Sequence, residues 1–344
     1  MILLMPFSFM AVGLLIIFNT FSRKIMLYDD RIAYTNFFKT REIFTTDIRG
    51  YRVNNKVLTI ESKSTENKPL RIGNYIDFRD SFALVEWLKN NFKDVDTEDL
   101  KEQKEQLLRD TSLGVSEQDR QLKLDAARKL AIGYNILGVV IAVMVMIYHD
   151  NVFVTILAVT YPVAGVVIMK VNRLIKFVSD RKRSMYPFIM IGVMVPSMIM
   201  FFEFTSTNIL AAQNFWLPFL AATLILAFFL CVTGINESIG GIAGQIVLIA
   251  VISIFYGLGS VVKINCVFDH SPDKEYKASV LGHHISRGKH TSYILYLSTW
   301  GPCNVQKQID VGSKMYNEVN PGDSVKIDLK PGLLHIPWFV VYHN

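Results

Sequence analysis

Six apolar stretches, each about as long as a helix that crosses a bilayer, constrain this chain more than any other feature: Ile2–Phe18, Leu130–Tyr148, Val152–Met169, Tyr186–Phe202, Phe215–Val232 and Ile239–Leu258. A helix rises about 1.5 Å per residue, so roughly 20 mostly apolar residues span the hydrocarbon. Charged residues make up 19% of the 344, below the roughly 25% of soluble domains. They are also segregated. Lys and Arg number 21 against 19 Asp and Glu in residues 19–129, 6 against 1 in 170–185, and 9 against 7 in 260–344. Only Asp150, Glu203 and Glu237 remain, each at or beyond the end of a stretch. The expected fold class is a polytopic α-helical membrane protein with about six transmembrane helices, carrying a small α+β domain after the first span and an all-β domain at the C-terminus.

The first stretch reads as a span rather than a signal peptide, because it lacks a basic n-region and a small-residue cleavage site, and its basic pair, Arg23 and Lys24, follows it. Basic residues in short flanking segments stay on the cytoplasmic side. The connector Lys170-Val-Asn-Arg173-Leu-Ile-Lys176, continuing to Arg181-Lys182-Arg183, is the strongest such marker, whereas residues 149–151 and 203–213 carry no Lys or Arg. Six crossings then place the N-terminus outside, residues 19–129 inside and residues 260–344 outside, in a multi-pass inner (plasma) membrane protein.

The expected domain boundaries are 1–18 for the first span, 19–95 for a cytoplasmic domain, 96–129 for a charged helical linker, 130–259 for five spans and 260–344 for an external β domain. Within the cytoplasmic domain, the alternating runs 25–28, 31–35, 48–53, 56–61 and 69–72 read as strands,. Asn54-Asn55 suits a tight hairpin. The segment Asp77 to Phe92 reads as one amphipathic helix, with Phe82, Val85, Leu88 and Phe92 on a single face,. In the linker, Ser116-Glu-Gln-Asp119 fits a capping box,, and Gly114 breaks what precedes it.

This order, with the opening Leu-Tyr-Asp-Asp-Arg-Ile-Ala-Tyr and the closing helix Phe-Ala-Leu-Val-Glu-Trp-Leu-Lys, resembles the bacterial PH-like domains that stand beside transmembrane helices. The resemblance implies binding of lipid headgroups or proteins, and it places Lys39 and Arg41 as the candidate lipid-binding pair near an early loop.

Within the spans no ionisable side chain other than tyrosine and cysteine is expected at depth, which argues against ion coupling. Asn135, Thr160, Asn214, Asn236 and Gln245 are the polar candidates, and such residues more often bond helix to helix than bind substrate. Gly240 and Gly244 form a small-x-x-x-small packing face. Pro162, Pro196 and Pro218 are expected to kink their helices.

Residues 260–344 return to period-two patterning, with strands expected at 262–268, 276–281, 291–298, 305–311, 324–329 and 336–342 and a short helix at 314–319,. A compact β-barrel or sandwich follows. The run Gly288 to Pro302 and the closing Pro321 to Trp338 resemble the external domain of polytopic bacterial membrane proteins, a likeness that implies no activity. Four histidines lie here, His270, His283, His284 and His290, but adjacent strand residues face opposite sides, and no carboxylate or thiol spacing completes a metal site. Cys266 and Cys303 both fall in a segment assigned to an oxidising compartment, so a disulfide between them is expected.

The function expected from this reading is a non-enzymatic inner-membrane protein that binds a lipid or protein partner as a sensor, scaffold or protective factor. A subunit of a transport or neutral-lined channel complex is the alternative. No cofactor, metal or nucleic-acid partner is expected, since no phosphate-binding glycine loop, metal-ligand spacing or basic reading patch is present.

Overall fold

The computed structural model describes residues 17–64, 67–178, 185–235, 242–287 and 291–343. The chain forms two compact units, Met1–Arg120 with Arg181–Met185 and Gln121–Asp180 with Tyr186–Asn344. Of the first apolar stretch only the end is described, where residues 17–22 are helical.

In the first unit, the five expected runs and one further strand, at Thr40–Phe44, fold as two antiparallel three-stranded meanders. β1 (Lys24–Leu27), β2 (Arg31–Thr35) and β3 (Thr40–Phe44) form one, and β4 (Ile48–Asn54), β5 (Val57–Ser62) and β6 (Leu70–Gly73) the other. Alternation turns Ile32, Tyr34, Ile43, Ile48, Leu58, Ile60, Leu70 and Ile72 into one core,. Asn55 takes a left-handed φ of 39° between β4 and β5, which Asn tolerates better than most residues. Helix α1 (Ser81–Asn91) packs on this core through Leu84 and Leu88. The expected inward face is corrected here: Phe82 is 81% exposed, because the helix starts only at Ser81 and Leu84, one turn before Leu88, takes the inward position.

Helix α2 (Val95–Arg109) is capped by Asp94, whose side chain accepts from the Asp96 N–H,. It closes the β4 edge, where Tyr51 bridges Asp94 and Val95 is fully buried. Arg52 on β4 ties this helix down, bonding Glu61 and Asp99 at 2.5 Å each and Asp96 as well. Burial opposes the guanidinium charge, but the three carboxylates outweigh it and raise the Arg52 pKa above its ordinary value,.

The second unit contains the apolar helices. α3 (Glu117–Ile147) begins as the capping pattern predicts, with the Asp119 N–H donating to Ser116 Oγ at 3.1 Å. The expected linker helix and second span are therefore a single 31-residue helix. α4 (Val152–Val171), α5 (Met190–Ser206), α6 (Trp216–Gly234) and α7 (Ile242–Val267) follow. Four of these helices, α3, α4, α6 and α7, are long and apolar enough to cross a membrane, and α5 is a shorter apolar helix of 17 residues. Pro162 and Pro196 lie inside α4 and α5, whereas Pro218 sits in the first turn of α6, where its missing N–H removes no helical bond,.

Of the polar residues expected to join helices, Asn135 does so, whereas the Thr160 hydroxyl donates to carbonyls of its own helix and Asn214 donates to the His335 carbonyl; a tyrosine pair adds a further link. Tyr134 and Tyr161 stack at 4.5 Å, and each hydroxyl donates to the other's backbone carbonyl, at 2.9 and 2.5 Å. Asn135 donates to the Phe188 carbonyl and accepts from the Gly192 N–H, both at 2.8 Å.

The C-terminal strands are β8 (Lys274–Arg287), β9 (Thr291–Leu297), β10 (Lys307–Val311), β11 (Ser324–Lys330) and β12 (Trp338–His343), with the short helix α8 (Ser313–Glu318) before β11. They form one antiparallel sheet of order β10-β9-β8-β11-β12-β7, in which β7 (Asn208–Ile209) comes from the connection between α5 and α6. The sheet turns at β8, whose first half pairs with β11 and whose second half, past a register shift at Val280/Gly282, pairs with β9,. Side chains from both halves, including Val280, Leu295, Leu297, Trp300, Ile327 and Phe339, share one core. The strand expected at 262–268 is not formed, because α7 runs on through Val267.

Candidate functional site

That extension of α7 creates the most unusual chemistry in the second unit. Lys263 falls inside the helix and is only 6% exposed. Its ammonium pairs with the Glu203 carboxylate of α5 and donates to the His149 carbonyl just beyond α3. Ionisable groups at helix depth are costly and are kept where they have a role. The sequence reading missed this pair because it ended the last apolar stretch at Leu258. The signal was available in Gly257-Leu-Gly259-Ser260: small residues at helical spacing mark a helix still packing against a neighbour. A Cβ on Gly259 would stand 2.5 Å from the Met200 backbone of α5.

The pair lines a cavity of about 280 Å³ with His149, Asp150, Cys266 and Trp338. Several of the same residues line a second, wider cavity of about 650 Å³, which reaches Asp269, Asp328, Lys330 and Tyr342 of the C-terminal segment. His149 meets Asp150 at 3.0 Å. The Asn265 amide stands 3.9 Å from Cys266 Sγ. The set offers charge of both signs beside apolar side chains, which suits holding a charged group.

Two side chains beside the cavities lock the sheet to the helix. Asn265, 1% exposed, donates to the Ile336 carbonyl at 2.9 Å and accepts from the Leu334 N–H at 3.0 Å. Gly332, at φ 77°, lies so close that a Cβ there would meet the Asn265 amide at 2.3 Å. Asp269, 7% exposed, accepts from the Gly332 N–H at 2.8 Å, the Trp338 indole at 3.2 Å and the Ser271 hydroxyl at 2.5 Å. Burial alone would raise the Asp269 pKa, but the hydrogen bonds from Ser271, Gly332 and Trp338 outweigh it and hold it below the ordinary carboxylate value,.

The site residues expected from sequence fall elsewhere. Lys39 is exposed at the β2–β3 hairpin tip, whereas Arg41 is half-buried on β3 and lines a depression of about 400 Å³ with Glu42, Asp47, Asn67 and Lys68. The charges there are mixed, so this is not a purely cationic pocket. Cys266 and Cys303 are free thiols. Cys266 lies in the last turn of α7 against Val262 and Ile336, and Cys303 in the sheet core, so the expected bridge is not formed. Gly240 lies outside the described residues, and Gly244 has open space where a helix was expected. Close helix approach occurs instead at Gly259 and at Gly138, whose Cβ would stand 2.6 Å from Gly192. His283 and His284 are consecutive on β8, and His283 rests against the Tyr316 ring at 4.8 Å. Among the described residues no group of three or more metal-ligating side chains comes together.

Comparison with protein-family models, with curated proteins and with solved structures finds no match for this chain.

Proposed function

We propose that this chain is a non-enzymatic integral protein of the bacterial inner membrane that binds a lipid or protein partner, as a sensor, scaffold or protective factor of the cell envelope. The observation that supports it most is the buried lock between α7 and the C-terminal sheet, made by Asn265 and Asp269. A sheet joined to the apolar helices by buried hydrogen bonds, and recruiting β7 from between two of them, moves with those helices rather than swinging on a linker. A partner seated on the sheet would therefore bear on the helices. On this reading residues 19–129 are cytoplasmic, with the two meanders and α1 acting as a PH-like module, and the C-terminal sheet is external. The basic connector at 170–185 supports that orientation,.

Crosslinking in native membranes followed by purification tests the proposal. A stoichiometric partner crosslinked from a residue on the C-terminal sheet is expected, and purification of the chain alone after efficient crosslinking refutes it. The Lys263–Glu203 pair favours one alternative, a subunit of a transport complex, because ionisable pairs among apolar helices mark substrate or ion paths. Recovery within a multi-subunit permease, crosslinked from α5 or α7, is the outcome that selects it.

A further inference from the structure

The strand register of the first unit brings an unexplained feature to one place. β1 starts at Lys24, directly after the helical residues 17–22, and Lys24 pairs with Thr35, which in turn pairs with Thr40. The turn between β2 and β3 therefore lies at the end of the sheet where the apolar first stretch arrives. The turn is built rather than loose: the Asn36 side chain accepts from the Phe38 and Lys39 N–H groups at 3.0 and 2.9 Å, and the Asn36 N–H donates to the Lys39 carbonyl at 3.0 Å,. It holds Phe37 and Phe38 at the tip, 47% and 71% exposed. Phe37 also touches the arriving helix, with its ring 6.4 Å from Phe18 and its N–H donating to the Asn19 side chain at 3.4 Å.

We propose that this hairpin tip is a membrane wedge, with Phe37 and Phe38 inserted in the interfacial layer of the leaflet from which residues 17–22 emerge, and with Lys39 and Lys24 among anionic headgroups. Two adjacent exposed phenylalanines on a rigid turn are costly in water, whereas aromatic side chains are favoured at the bilayer interface and lysines beside acidic lipids. The chemistry of the occupant follows from continuity with the apolar stretch Ile2–Phe18 and from the flanking cations. The proposal assigns a different role from headgroup recognition by Lys39 and Arg41: the aromatic rings carry the insertion, and Arg41, half-buried on β3, takes no part. It rests on the reading that the first apolar stretch enters the bilayer.

The test places a spin label at position 38, 14 or 55 of the full chain with its three cysteines replaced by alanine, in nanodiscs of phosphatidylcholine and phosphatidylglycerol, and compares accessibility to oxygen and to a nickel chelate. The label at 38 should show a several-fold higher oxygen-to-nickel ratio than the label at 55, on the polar β4–β5 turn. An aqueous ratio at 38 with a lipid ratio at 14 overturns the wedge alone. Aqueous ratios at both positions overturn the wedge together with the membrane reading of the first stretch. Should cysteine removal harm folding, Phe38→Trp in the otherwise native chain gives an independent answer: brominated lipid should quench the added fluorescence, and undiminished emission overturns the proposal.

Discussion

Replacing one partner of the Glu203–Lys263 pair should cost far more than replacing both, and the two single losses should differ. Lys263 is the more deeply buried, with its side chain 7% exposed against 22% for Glu203. Glu203→Gln removes the counter-charge and leaves the buried ammonium with neutral acceptors only, the His149 carbonyl among them, and breaking a buried pair in this way costs about 3–5 kcal/mol. Lys263→Met leaves the Glu203 carboxylate, whose oxygens are both buried, without its cation; a lone buried carboxylate can neutralise itself by taking up a proton, so this loss should be the smaller of the two, near the lower end of that range at about 3 kcal/mol. The double variant Glu203→Leu with Lys263→Met removes both desolvation costs and should fall within about 1–2 kcal/mol of the native chain. Thermal unfolding in detergent reads this directly: for a unit of this size Glu203→Gln should lower Tm by on the order of 10 °C, and the double variant should recover most of it. Additive losses in the double variant, or equal losses in the two singles, would refute the argument that desolvation rather than attraction dominates here.

Helix approach gives a paired test, because Gly259→Val drives a side chain into the Met200 backbone and should destabilise by about 1–3 kcal/mol, while Gly244→Ala, with nothing within 4 Å, should be neutral or slightly stabilising; a larger loss at position 244 would contradict the packing. Asp269 has a depressed folded pKa, so the stability it contributes is present above the ordinary carboxylate value of about 3.9 and disappears as pH falls through the lower folded value. Trp338 fluorescence should report loosening below about pH 4, and Asp269→Asn should flatten that acid response; an unchanged titration in the variant counts against the assignment. Alkylation of the unreduced, denatured protein should modify both Cys266 and Cys303, and a peptide pair joined by a disulfide would overturn the free-thiol arrangement.

Much of the fold was legible because it rests on local periodicity. The strands β1, β2, β4, β5 and β6 of the first unit and the strands β9 to β12 follow from alternation, and the start of α3 from its capping box. What was not legible depended on distant partners. β3 sits between two recognised runs, and its Thr-Arg-Glu-Ile-Phe carries only one inward residue, Ile43. β7 is two residues long and exists only because β12 pairs with it. The most instructive case is the end of α7. Val262, Ile264, Cys266 and Phe268 alternate as a strand would, yet Val261 and Val262 are both buried, which a strand facing one core does not allow. The helix continues because its sides are already engaged: Gly259 against α5, Lys263 on Glu203, and Asn265 on the 332–336 turn.

That same continuation explains why the candidate site escaped the sequence reading. Hydropathy ends a span at the first polar run, so by that criterion Lys263, Asn265 and Asp269 belong to a separate external domain and Glu203 to a helix end, with no reason to bring them together. In the structure Lys263, Asn265 and Asp269 mark a short column of polar side chains along and just past the last two turns of α7, and Glu203 meets it from α5. Together they satisfy groups contributed by different parts of the chain: α5, the 149–150 turn, the 332–336 turn and β12. A polar residue near the end of an apolar helix is ambiguous by itself, since it fits a solvated cap as well as a buried partner. Three of them within seven residues, after a turn that carries Gly257, Gly259 and Ser260, are less ambiguous. The apolar stretch that ended at Leu258 was a limit of hydropathy, whereas the helix ends where its polar partners do.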